Sequence, residues 1–280
     1  MKKLLSYYLV FVLFVIVVPA KGQTDSAVSN TKSVQFKIGT YYVNNLHYFG
    51  RTDSLRSSAF FPLAEVWVKQ RFYINAAPVF VYNSIAGAQY AGSVVTTGYY
   101  FRNTKWAGNS FISKPVYKNN SQLVQSALKW QVSSSFSRLS KLINVTMGAD
   151  LKFSNQADYG AIVGVDHLFR RQISDNAILV INPTANMNMG TQNFFQIAEK
   201  QPGLIGAIGS QQQTSEQVSR FAVLSYELSS PVIFARGKMQ LILIPAFVLP
   251  QNVITVSGRP DLSERGRNMF TLTAGAKIIL

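Results

Sequence analysis

The stretch Ile143-Asn144-Val145-Thr146-Met147-Gly148-Ala149-Asp150-Leu151-Lys152-Phe153 alternates apolar and polar residues without a break. A helix would mix the two kinds within one turn, whereas a strand sends successive side chains to opposite faces. Ile143, Val145, Met147, Ala149, Leu151 and Phe153 then share one face, and Asn144, Thr146, Gly148, Asp150 and Lys152 share the other. The first face suits lipid and the second suits a polar lumen, which is the pattern of a strand in a membrane-spanning barrel.

The same division continues on either side. Tyr159, Ala161, Val163, Val165 and Phe169 oppose Gly160, Gly164, Asp166 and Arg170. Leu179, Ile181, Ala185, Met187 and Met189 oppose Asn182, Thr184, Asn186 and Asn188. In the last segment Phe270, Leu272, Ala274, Ala276, Ile278 and Leu280 oppose Thr271, Thr273, Gly275 and Lys277. Further strands are expected near 33–43, 59–69, 72–82, 92–102, 122–136, 218–232 and 238–249. The last of these is apolar on both parities, so its inner side should pack against other side chains. A weaker segment at 110–117, interrupted by Pro115, completes twelve strands. Without it the count is ten, with a long excursion over 83–121.

The fold expected is therefore all-β, a transmembrane antiparallel up-and-down β-barrel of about twelve strands, with ten as the alternative. A soluble β-sandwich or lipocalin-like barrel is the architectural rival. It would turn the apolar parity inward and leave Asn144, Asp150, Asn186 and Lys277 outside.

Composition agrees with a lipid-facing surface. Hydrophobic residues make up 48% and charged residues only 14%, against about 25% charged in ordinary soluble domains. The apolar run Leu4 to Val18 follows Lys2 and Lys3 and is closed by Pro19 and Lys21. It is too short for a spanning helix, which needs about 20 apolar residues, and it has the form of a secretory signal peptide. Small residues permit cleavage after Ala20 or Gly22, so the domains are 1–22, signal peptide, and 23–280, barrel. There is no cysteine, which removes disulfides, thiolate metal sites and a lipoprotein anchor. The net charge of +15 falls to +12 once Lys2, Lys3 and Lys21 are removed. No basic stripe of the kind that binds nucleic acid is formed.

The signal peptide, the dyad alternation and the terminal strand together resemble small Gram-negative outer-membrane β-barrel proteins. The resemblance covers essentially the whole mature chain, although such terminal strands usually end in an aromatic residue and this one ends in Leu280. It implies an integral place in the outer membrane, contact with outer-membrane lipids, and insertion by the barrel-assembly machinery.

Two sets of residues are candidates for function. By parity the lumen should hold Lys37, Glu65, Lys129, Asn144, Asp150, Lys152, Asp166, Asn182, Asn186, Asn188, Glu227 and Lys277. In a narrow barrel such charges commonly pair and fill the interior. The short turns of a twelve-strand path each carry a basic pair: Lys69 and Arg71, Arg102 and Lys105, Arg138 and Lys141, Arg170 and Arg171, Arg236 and Lys238. These turns are expected at the periplasmic end, within reach of anionic headgroups or an acidic envelope partner. The longer connections 44–58, 190–217 and 250–267 would face outside. Tyr41, Tyr42, Tyr99, Tyr100, Phe101, Trp130, Phe136, Tyr159, Phe169, Phe194, Phe195 and Phe270 lie near strand ends, as interfacial girdles do. No run of aromatics at lumen parity stands out for stacking sugars.

The function expected is a structural, assembly or surface-interaction role in the envelope. A narrow porin-like channel for anionic or polar small solutes is the alternative, and an outer-membrane lipid hydrolase a remote one. Only His47 and His167 could serve a catalytic triad, and neither lies in a HExxH, GxSxG or phosphate-loop motif. No cofactor or enzymatic activity is expected.

Overall fold

The computed structural model describes residues 33–52, 56–84, 87–118, 128–193, 220–254 and 266–280. The expected signal peptide, Phe194, Phe195 and the start of the strand expected at 122–136 lie outside these residues. Fifteen strand segments follow in order: β1 (Val34–Val43), β2 (Ser58–Val68), β3 (Phe72–Asn83), β4 (Gly87–Arg102), β5 (Trp106–Tyr117), β6 (Trp130–Arg138), β7 (Asn144–Phe153), β8 (Ala157–Asp166), β9 (Phe169–Ser174), β10 (Ala177–Ile181), β11 (Thr184–Gly190), β12 (Ala222–Ser229), β13 (Val232–Arg236), β14 (Met239–Pro250) and β15 (Met269–Ile279).

They build twelve walls, because three strands are each broken once. β8 and β9 are one strand interrupted at 167–168. Its pairing keeps a single offset, from Asp166 opposite Thr184 to Phe169 opposite Ile181. β10 and β11 are interrupted at Asn182 and Pro183, and β12 and β13 at Ser230 and Pro231. Proline has no N–H to give the ladder, so it marks two of the breaks. Every neighbouring pair is antiparallel, and the pairings β12 with β14 and β1 with β15 close the ring. The weak segment at 110–117 belongs to β5, so the twelve-strand expectation holds.

The parity expected of the strands is the parity observed. Ile38 and Met147 face outward at 57% and 61% exposure, while Glu65 and Lys152 face inward at 7% and 8%. Phe36, Phe72, Ile74, Val116, Phe136, Leu228, Phe270 and Ile278 are exposed on the same outer surface. Asn144, Asp150, Asn186 and Lys277 lie on the inner parity, opposite to what a soluble barrel requires. At roughly 25 cal/mol per Å² of apolar surface, such an exterior is stable only against lipid or another apolar phase.

The two ends of the barrel differ. The turns 69–71, 103–105, 139–143, 175–176 and 237–238 are short, and all fall at the end where β1 starts and β15 stops. The longer connections leave from the other end. There the buried apolar side chains gather: Ala59, Val79, Val81, Ala91, Leu224, Ala246, Val248 and Ile254. On β14 the inner parity is Ile242, Ile244, Ala246 and Val248, and Val248 is fully covered. The apolar inner side expected of 238–249 is therefore packed at this end.

Candidate functional site

Three groups of polar side chains line the lumen. The first spans the seam between the first and last strands. Glu65 accepts a hydrogen bond from Lys277 Nζ (2.7 Å) and another from Trp67 Nε1 (2.7 Å). Lys37 Nζ lies 4.3 Å from the centre of the Trp67 ring. Trp67 stacks on Tyr73 at 4.7 Å, and Tyr73 donates to Asn109 Oδ1 (3.0 Å). Two glycines make room for this cluster. Lys277 passes over Gly39, and the Tyr73 ring covers Gly98, where a Cβ would stand 2.4 Å from the ring.

The second group is Asp150 and Lys152, ion-paired on the inner side of β7. The third lies near the short turns. Asn144 Nδ2 donates to Asp166 Oδ2 (2.8 Å), and Asn182, with its amide turned to match its neighbours, donates to the same oxygen (2.9 Å). Toward the opposite end, Asn188 Nδ2 donates to Ser225 Oγ (3.1 Å), so this amide too is satisfied across strands. Asn186 and Glu227 face each other across β11 and β12. Between these groups the wall of β4 to β7 carries small side chains inward, among them Thr96, Ser113, Ser133, Ser135, Ser137 and Thr146.

Of the expected lumen residues, Lys129 is placed differently. It precedes β6 at the rim, is exposed, and donates to Asn155 Oδ1 (2.9 Å). Among the aromatic residues expected in girdles, Tyr41 and Tyr100 have inward parity. Trp67 and Tyr73, stacked across β2 and β3, form an aromatic pair inside the barrel that alternation along single strands does not reveal. Trp67 shares the parity of Glu65, and Tyr73 that of Asn75, which is the signal that register would have exposed.

The basic pairs all lie at the short-turn end and are exposed. Lys69, Arg71, Lys105, Lys141 and Lys238 are in turns, while Arg102, Arg138 and Arg236 close their strands. Arg170 and Arg171, expected in a short turn, are placed otherwise. They belong to β9, because that strand continues to Ser174. His167 lies at the break between β8 and β9, with Nδ1 against the Leu142 carbonyl and its ring edge-on to Phe169 (4.2 Å).

The feature with no precedent in the sequence reading is the connection after β1. Tyr48 and Arg51 exchange two backbone hydrogen bonds (2.8 and 3.0 Å), and Phe49 and Gly50 between them have φ of 51° and 78°. Two consecutive positive values define a tight primed turn, for which glycine is favoured. This turn folds inward. Leu46 packs against Val79, Val81 and Ala91 on β3 and β4. Lys152 of β7, about half the ring away, approaches the Tyr48 and Phe49 rings (5.8 and 5.7 Å).

Arg51 secures it. At 1% exposure its guanidinium donates to the carbonyls of Phe49 (3.0 Å), Leu224 (3.0 Å), Gln251 (2.9 Å) and Asn252 (3.2 Å). The planar fork of arginine suits several acceptors at once. His47 lies on the same loop, and its Nδ1 accepts from Gly50 N (3.3 Å). Burial holds its pKa below the usual imidazole value. Residues 46–51 thus touch β3, β4, β7, β12 and the stretch 250–252 where β14 ends.

A closed antiparallel barrel, apolar outside and polar within, defines a membrane-spanning barrel of the outer-membrane type. No protein-family model and no curated protein matches the chain. Among solved structures it is similar to the KdgM porin, at 9% identity over 86% of this chain and 98% of that one, with a TM-score of 0.44. It is also similar to an outer membrane channel from Pseudomonas putida F1 (10% identity, 93% and 100% covered, TM-score 0.45) and to LpxR from Salmonella typhimurium (8%, 86% and 99%, 0.43). These are likenesses of fold.

Proposed function

We propose that this protein is an integral outer-membrane barrel with a structural or surface-contact role in the envelope, its outer mouth kept shut by residues 46–51. The observation that carries the reading is Arg51, a buried cation holding carbonyls from three separate stretches of chain. A loop meant to swing freely would not bury a guanidinium, because exposing it again leaves four acceptors to be resolvated. The charges of the lumen point the same way, since Glu65 with Lys277 and Asp150 with Lys152 are paired rather than presented to a solute. In this reading the chain is exported by a cleaved signal peptide at residues 1–22 and inserted by the assembly machinery. The short-turn end lies in the periplasm with its basic residues near anionic headgroups.

Planar-bilayer recording of the purified mature protein tests this. The expected result is no unitary conductance steps from the wild type and brief openings from Arg51→Ala. Regular, anion-selective steps from the wild type would overturn it in favour of a second reading, a narrow passage for anionic or polar small solutes. That reading is favoured by the small polar wall of β4 to β7 and by Lys37, Lys152 and Lys277 on inner parity.

A further inference from the structure

Strand β9 has a neighbour on one side only. It pairs with β10, and among the described residues no other strand lies alongside it. The reason is local. β7 would be its partner, but β7 begins at Asn144, opposite Asp166, where β8 ends. The chain before Asn144 is turned away, with Ser140 N donating to Asn144 Oδ1 (3.0 Å) and Leu139 N to Lys105 O (2.7 Å). The ladder that serves β8 on both edges therefore stops, and residues 169–174 continue with one edge open.

Every residue of β9 is exposed. Unpaired N–H and C=O groups in a row are a template for an added strand. The side chains indicate its chemistry. Arg170 and Arg171 lie on the open strand, and Lys141 is in the 139–143 turn opposite it. The nearest acids are committed or peripheral: Asp166 is bound by Asn144 and Asn182, and Asp175 is in the hairpin tip. Phe169 and Ile173 on β9, with Leu142 at 77% and Ile143 at 54% exposure across the gap, add apolar surface beside the cations.

We propose that the open edge of β9 docks an extended acidic segment of a periplasmic partner, which adds a strand to the barrel wall between β9 and the 139–143 turn. Its backbone completes the interrupted ladder, and carboxylates on its two faces pair with Arg170 and Arg171, which as strand neighbours point to opposite faces. A second copy of this chain fits poorly, since edge-to-edge pairing of two β9 strands gathers four guanidiniums with no acid among them. The edge lies outside the lumen, so this inference and the reading of the mouth stand or fall separately.

The test uses full-length mature protein in detergent and a labelled synthetic peptide in which pairs of glutamates alternate with pairs of valines, so that carboxylates stand on both faces of the added strand. Fluorescence anisotropy should show salt-sensitive binding, and hydrogen exchange should show new protection at 169–174. The double substitution Arg170→Gln with Arg171→Gln should weaken binding about tenfold, as expected for the loss of two exposed charge pairs. Arg236→Gln with Lys238→Gln, which removes an equal charge elsewhere on the same end, should leave it unchanged. The proposal is overturned if both double variants weaken binding equally, or if the same peptide with lysine in place of glutamate binds as well. It is also overturned if phosphatidylglycerol vesicles protect 169–174 while the peptide does not, or if 169–174 is already protected in a dimer.

Discussion

Replacing Arg51 by alanine should release the loop at 46–51 without unfolding the barrel. Three of the four carbonyls held by Arg51, those of Leu224, Gln251 and Asn252, belong to other parts of the chain. Hydrogen bonds to a charged group contribute about 1.5–3 kcal/mol each, which for three bonds would be roughly 4.5–9 kcal/mol. Much of that is offset, because closing the loop also strips the guanidinium of water. A net of about 3 kcal/mol is a reasonable expectation, equivalent to a factor of roughly 150 in the fraction of loops that are open. Native-state hydrogen exchange of the Tyr48 and Arg51 amides, which bond to each other's carbonyls, reads this fraction directly. Exchange should accelerate by about that factor, while amides of β14 and β15 keep their wild-type rates. If Tyr48 exchanges within threefold of wild type in the variant, Arg51 is not the latch and the reasoning fails.

Glu65→Gln should lower stability by about 3 kcal/mol, the low end for breaking a buried pair, because Lys277 keeps 16% of its side chain open. The urea midpoint of folding into vesicles measures it, and Glu65→Gln with Lys277→Met should recover part of the loss; no recovery would mean that Glu65 acts through Trp67 instead. Gly98→Ala should cost about 1–3 kcal/mol by overpacking, since the new Cβ displaces Tyr73 from Trp67 and Asn109. Loss of the stacked Trp67 signal in near-ultraviolet circular dichroism is the accompanying sign. The closed loop should weaken in acid. With the folded His47 held below its usual value near 6.5, the open loop takes up a proton that the closed loop refuses. Closure is then complete above that usual value and declines as pH falls toward the folded one. In the Arg51→Ala variant, opening frequency in bilayer recordings should rise between pH 7.5 and 5, and adding His47→Gln should flatten the profile.

The walls of the barrel were legible because each strand carries its own evidence. Ile143 to Phe153 alternates strictly, so both its state and its facing follow from the residues alone. Local pattern also gave β5, despite Pro115. It could not reveal the breaks at 167–168, 182–183 and 230–231, since a kinked strand keeps the parity of a straight one. The inward loop was invisible for a different reason. Arg51 gains its meaning from Leu224, Gln251 and Asn252, separated from it by 173, 200 and 201 positions, and nothing in residues 44–57 announces those partners. The stacking of Trp67 on Tyr73 is hidden likewise, because it runs across strands whereas alternation is a pattern along them. Arg170 and Arg171 were found as a basic pair, but their place on an open edge depends on where β7 begins.

The reach of Lys277 over Gly39 to Glu65 links the last strand to the second, with the first strand beneath it. Such a link cannot exist in any partly made barrel, because its two halves come from opposite ends of the chain. Until β15 arrives, Glu65 faces the lumen beside Lys37 with one of its cations missing. Completion is thus recorded chemically at a single carboxylate, and a chain stalled before its final strand carries a different interior charge from a finished one. A carboxylate's infrared band at Glu65 would therefore time the closing of the cylinder, separately from the insertion of its walls.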